Sequence, residues 1–145
     1  MTRRSSLKAL QGAAVLIAVV TLLTGCFSSL TGDALNLLNR DRATYGLKAP
    51  KTYGQLQTKA QNWADRLASQ NTLYHSTLTS GVPSCWTGLG ENVGYGSSVL
   101  AVELSFMASA PHRANILNSR YDWVGIGVAR NGSRYFVVQV FMDGC

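Results

Sequence analysis

The chain is poor in charge, in cysteine and in long apolar runs. Charged residues are 14% of its 145 residues, low for a coiled coil. Three cysteines are too few for a disulfide-built miniprotein, and no Cys-x-x-Cys pair suggests a zinc ribbon. The apolar run Ala13 to Leu23 spans 11 residues. That falls short of the roughly 18 needed to cross a bilayer comfortably. No internal repeat is visible. What is present points to one globular domain: the length fits a single core, and 46% hydrophobic content excludes a mainly disordered chain.

The net charge of +6 misleads until the N-terminus is read. Arg3, Arg4 and Lys8 precede the apolar run, and small residues follow at Gly25. A basic start, apolar middle and small-residue end match an export signal, with a retained membrane anchor as the alternative. Leu23-Thr24-Gly25-Cys26 resembles the lipobox of bacterial lipoproteins. That resemblance implies a signal peptide over 1–25 and a lipidated Cys26 holding the protein on the outer face of the bacterial membrane. Removing three basic residues leaves ten against seven acidic ones, a net charge of +3. No basic stripe remains, so nucleic acid is not an expected partner. With Cys26 out of the count, Cys85 and Cys145 are left in an oxidising compartment and are expected to pair.

Along the mature chain, Phe27 to Thr31 reads as a polar tether (26–31), followed by a domain over 32–145. Thr31, Gly32 and Asp33 are expected to cap a first helix with Leu35, Leu38 and Arg42 on one side and Gly46 as its stop. Leu56, Ala60, Trp63, Ala64 and Leu67 step at helical spacing, predicting a second helix from about Gly54 to about Gln70 with Trp63 in the core. Residues 72–98, rich in Gly, Ser and Thr, read as long loops with short strand pieces, a candidate functional surface. A third helix follows from about Ser98, with Val99, Val102 and Phe106 on one face. Ser109-Ala110-Pro111 then opens a short helix through Leu117, Ser109 serving as its N-cap. Val124, Ile126 and Val128 alternate as a strand. Asn131-Gly132 predicts a type I′ hairpin, and Tyr135 to Phe141 a strand buried on both faces.

Three stretches carry a resemblance: His75 after the second helix, Gly90-Glu91-Asn92-Val93-Gly94-Tyr95-Gly96, and Ser109-Ala110-Pro111-His112-Arg113-Ala114-Asn115-Ile116-Leu117. Together they resemble the CAP superfamily, the SCP-like extracellular domains. Asn39 to Arg42 (Asn-x-x-Arg) and Gly46-Leu47 also fit its first helix, so the likeness covers about Leu35 to Met142. It implies an α+β fold, a three-layer α-β-α sandwich with a mostly antiparallel central sheet and helices on both faces, and a shallow open cleft. His75 and His112 match the family's two cleft histidines and Glu91 its first acid. The second acid, three residues after the helix aromatic (here Phe106), is replaced by Ser109. The aromatic itself, commonly Trp, is also changed. Ser109 and Tyr95 complete the expected ligand cleft.

Two imidazoles and a carboxylate suit a divalent cation such as zinc, which would make His75, His112 and Glu91 a three-ligand site with an open water position. No short ligand spacing supports this, because the two histidines are 37 residues apart. The bland alternative is that Glu91 and His112 hold loops together through hydrogen bonds. Ser109 beside His112 invites a Ser–His nucleophile, but its place at a helix start already explains it as a cap. Glu103 falls inside the apolar sector of the third helix. Because charges are almost never buried unpaired, its carboxylate is expected to reach water past an apolar stem, with a substitute acid near the cleft as the alternative. Trp86 and Tyr95 read as loop packing or as a platform for sugar rings or lipid. Arg113 suits an anionic group or neighbouring carbonyls, and Asn92 and Asn115 read as ties between loops. The expectation is an envelope binding module for a lipid, sterol or glycan, not an enzyme. The alternative is a metal-assisted hydrolase of envelope peptide or glycan, with His75, Glu91 and His112 as its catalytic candidates.

Overall fold

The computed structural model describes residues 30–145. The expected signal segment (1–25) and Cys26, the expected lipidation site, lie outside the described residues. A helix covers residues 30–44 (α1), followed by β1 (Lys51–Thr52), α2 (Gly54–Gln70), β2 (Trp86–Gly96), α3 (Val99–Ala108), α4 (Ala110–Ile116), β3 (Trp123–Asn131) and β4 (Arg134–Gly144). The strands form one sheet in the order β1-β3-β4-β2, parallel only at β1–β3. The expected α-β-α sandwich is therefore present. Among the described residues, no helix is long and apolar enough to cross a membrane.

The alternation of β3 and β4 divides the core into two layers. On one face, Val124, Ile126, Val128, Val137 and Phe141 pack against α1, α3 and α4 through Leu38, Val102, Phe106 and Ile116. On the other, Phe136, Val138, Val140 and Met142 pack against Leu56, Ala60, Ala64 and Leu67 of α2. Each fully buried side chain of this size contributes about 1.5–3 kcal/mol. α2 sits unusually close to the sheet. A Cβ on Gly125 would lie 2.1 Å from the Leu56 carbonyl carbon, and one on Gly127 2.1 Å from the Ala60 carbonyl oxygen. The close approach brings two α2 glutamines onto β3. Gln57 Oε1 accepts from Ile126 N–H and its amide donates to the Ile126 carbonyl, while Gln61 does the same for Val128 at 3.2 and 3.0 Å.

Several local expectations are corrected. Residues 30 and 31, assigned to the tether, are already helical. Leu30 packs against the core, so Thr31, Gly32 and Asp33 lie within α1 and not at its cap. The segment 86–96 is one 11-residue strand, where long loops with short strand pieces were expected. Its glycines weaken every strand signal, and ten register positions along β4 impose the conformation instead. The hairpin turns on Gly132-Ser133, since Asn131 pairs with Arg134. Positive φ occurs there only at Gly132, the pattern of type II′ and not type I′. Trp63 is half-buried at the edge of its layer, its indole N–H donating to the Tyr74 carbonyl. Gly46, with φ +70°, stops α1 as expected. Cys85 and Cys145 form a disulfide with Cα atoms 5.2 Å apart.

Candidate functional site

The site forms where the outer edge strand β2 meets the chain on both faces of the sheet. His75 comes from the segment after α2, Glu91 from β2 and His112 from α4. Glu91 is buried and pairs with Val140, so its side chain points to the α2 face, toward His75. Its Oε1 lies 2.8 Å from His75 Nδ1 and accepts from Ser76 N–H at 2.9 Å, and its Oε2 accepts from Ser76 Oγ at 2.5 Å. A carboxylate only accepts, so this pairing puts a proton on Nδ1 and leaves Nε2 as the free nitrogen of an imidazole that is 60% exposed. Ser76 was not foreseen; its place directly after His75 was the available signal.

On the other face, His112 stacks at a tilt on Phe106 with ring centroids 5.0 Å apart. Its Nδ1 lies 2.8 Å from Ser109 Oγ. Ser109 thus occupies the N-cap position of α4 but makes no side-chain cap bond, because its hydroxyl is turned onto the imidazole. Burial pushes the His112 pKa down, and the His75 charge pushes it further the same way.

A buried amide chain joins the two halves. Asn92 Nδ2 donates to the His112 carbonyl at 3.1 Å and to Gln139 Oε1 at 2.9 Å. Asn115 Nδ2 donates to Asn92 Oδ1 at 2.9 Å and to the Glu91 carbonyl at 3.3 Å. Asn92 and Asn115 are the ties that the sequence suggested. Gln139 was missed, although it is the one polar residue in the run Tyr135 to Met142. Arg42, 2% exposed, adds a clamp by donating to the carbonyls of Lys48, Ile116 and Asn118 at 2.7–2.9 Å, which ties α1 to the end of α4.

Two expectations change here. Tyr95 is four residues beyond Glu91 on β2, about 13 Å at strand rise. It packs on Phe136 under Arg134 and takes no part in the His75–Glu91–His112 cluster. Glu103 does not reach water: it is 1% exposed, its Oε2 accepting from Gln139 Nε2 at 2.7 Å. Burial, reinforced by Asp41, raises its pKa to about 7. Trp86 stays exposed at the start of β2, beside the disulfide, and Arg113 is exposed on α4.

As to metal, no group of three or more His, Cys, Asp or Glu among the described residues is arranged to hold an ion. Both oxygens of Glu91 are engaged by His75 and Ser76. So engaged, Glu91 serves as an orienting partner of the His75 ring. Beside the cluster runs a groove of about 570 Å³ between α2 and the following segment. Its walls include Lys59, Asn62, Trp63, Arg66, Ser76 and Thr77.

The α-β-α sandwich is a fold shared with proteins that contain an SCP domain. The family model described as the cysteine-rich secretory protein (CAP) family matches residues 35–141, and the chain belongs to that family. Among solved structures, it is similar to an extracellular protein with an SCP domain from Bacillus anthracis (22% identity, TM-score 0.69, 80% of this chain and 41% of that one). It is also similar to a cysteine-rich secretory protein from Staphylococcus aureus (25%, 0.66, 80% and 38%). An outer surface protein of Borrelia burgdorferi matches at 16% identity and TM-score 0.66, over 77% of this chain and 90% of that one. The chain thus spans about two fifths of the first two proteins. No curated protein matches it.

Proposed function

We propose that this chain is an exported, lipid-anchored binding module of the bacterial cell envelope, taking a lipid, sterol or envelope glycan in its His/Glu cleft without turning it over. The observation that carries this reading is the state of Glu91. The one acid of the cluster is 2% exposed at its side chain and saturated by His75 and Ser76, and the place of a second acid is held by Ser109 on His112. A carboxylate so engaged orients an imidazole and is poorly placed to move protons for a substrate. The adjoining groove offers cations, amides and the Trp63 ring, which suit a polar head group or sugar. The lipobox-like Leu23 to Cys26 supports the anchor, and the extracellular and outer-surface relatives support export.

The test is mass spectrometry of material co-purified from the native envelope with wild type and with a His75→Ala/His112→Ala variant. A lipid or muropeptide that recurs with the wild type and falls away in the variant is the expected result. The same species at equal abundance in both, or none in repeated preparations, overturns the reading. The two free Nε2 atoms favour a second reading, a metal-assisted hydrolase of envelope peptide or glycan. Calorimetric zinc titration of the same pair addresses it, and equal weak binding by both proteins removes it.

A further inference from the structure

We propose that Glu103 is a positioning residue for the cleft, acting through the Gln139 and Asn92 amides to set the His112 turn of α4 against the Glu91 strand. The inference deepens the binding reading and rests on the same cluster. The relay has three fixed acceptors: the Glu103 carboxylate and the carbonyls of His112 and Glu91. Because Glu103 Oε2 accepts, Gln139 must present its NH2 to α3 and its oxygen to Asn92. Asn92 must then present NH2 to His112 and its oxygen to Asn115. Turning any one of these amides over sets oxygen against oxygen or nitrogen against nitrogen. The polarity fixed jointly by Glu103 and the two backbone carbonyls thereby runs through β4 and β2 to both sides of the cleft.

Packing alone does not explain an acid there. Glu103 sits on the inward face of α3 beside Val102 and Phe106, and its Oε1 accepts from no protein donor. An unpaired buried carboxylate oxygen is costly, and an apolar side chain would avoid that cost. What an acid adds is a second state. Ionised, its bond to Gln139 is charge-assisted, roughly twice the strength of a neutral one, and polarises the amides behind it. Protonated, the same bond is neutral and the relay slackens. The groups facing Glu103 are Asp41 and Arg40 from α1, with opposite effects, and the uncharged Gln139 from β4. Asn92 of β2 is uncharged, and α4 contributes the His112 ring stacked on Phe106. Burial on α3 and these neighbours together bring the Glu103 carboxyl to about 7.

The test is NMR of the ligand-free domain between about pH 5 and pH 9. It follows the side-chain NH2 signals of Asn92, Gln139 and Asn115, the Glu103 carboxyl carbon and the two imidazoles. In the wild type, the Gln139 and Asn92 signals are expected to inflect with the midpoint of the Glu103 carboxyl. Glu103→Gln keeps an acceptor, so it should hold these signals near their wild-type positions while abolishing the inflection. Glu103→Met should displace the Asn92 and Asn115 signals and shift the His112 titration midpoint. Asn92 following only the His112 midpoint, or wild-type signals in Glu103→Met, overturns the proposal. Should Glu103→Met not fold, Gln139→Met cuts the relay at its centre: the inflection must vanish from Asn92, and its survival there also overturns the proposal. No ligand enters these experiments, so their failure leaves the binding reading standing, and an empty cleft leaves the relay standing.

Discussion

Glu103 also makes a quantitative prediction about stability. Its carboxyl has an ordinary value of 4.5 in the unfolded chain and titrates at about 7 in the fold. Between those values the native state holds more protons than the unfolded chain, so stability falls as pH rises through that window. A displacement of this size corresponds to about 3 kcal/mol, present in full below pH 4.5 and lost above pH 7. Glu103→Gln keeps the shape and the acceptor to Gln139 but has no charge to bury. The assay is urea unfolding followed by tryptophan fluorescence at a series of pH values for both proteins. The difference in unfolding free energy, wild type minus variant, should become less favourable to the wild type by about 3 kcal/mol across the window. His112 also couples folding to pH, with the opposite sign, because its pKa is pushed down. That contribution is common to both proteins and cancels in the difference. Parallel profiles, with a difference constant to within about 1 kcal/mol, would refute the assignment of Glu103 as a buried acid.

Three further perturbations probe the scaffold. The disulfide closes a 60-residue separation, so Cys145→Ser or reduction should cost about 4 kcal/mol, read as a lower denaturation midpoint; an unchanged midpoint refutes the bridge. Gly127→Ala places a Cβ 2.1 Å from the Ala60 carbonyl oxygen and should destabilise by about 3 kcal/mol in calorimetry, by driving α2 off the sheet; a loss below about 1 kcal/mol would mean the layers yield easily. Arg42→Met leaves the carbonyls of Lys48, Ile116 and Asn118 without their donor, with an expected loss of about 3 kcal/mol. It should also raise hydrogen exchange across α4, and unaltered α4 protection would show that the clamp does not hold that helix.

Helices with regular apolar spacing were legible in the sequence, as α2 shows: its buried Leu56, Ala60, Ala64 and Leu67 repeat with the helical period. So were β3 and β4, whose valines alternate or run unbroken. The strand β2 was not, because its glycines carry no strand preference and its conformation comes from a partner 39 to 58 residues away. The site was legible in its members His75, Glu91 and His112, and hidden in how they connect. Glu103 read as a snorkelling side chain because the cost of burying an acid argues against it. The compensating amide, Gln139, is 36 residues distant. Ser109 read as a cap by position, yet its hydroxyl found the stronger partner one helical turn on.

Gln57 and Gln61 of α2 have a consequence beyond packing. β3 is paired along its length with β4, but β1 covers it on the other side only at Trp123 and Val124. Further along, Gln57 and Gln61 supply both the donor and the acceptor that a neighbouring strand would have supplied to Ile126 and Val128. One helical turn nearly matches a two-residue strand step, so a helix can imitate a missing strand with side chains alone. The imitation covers this stretch of the β3 border, whose open backbone groups would otherwise offer a template for strand pairing. Two side-chain amides thereby stand in for a strand along this border.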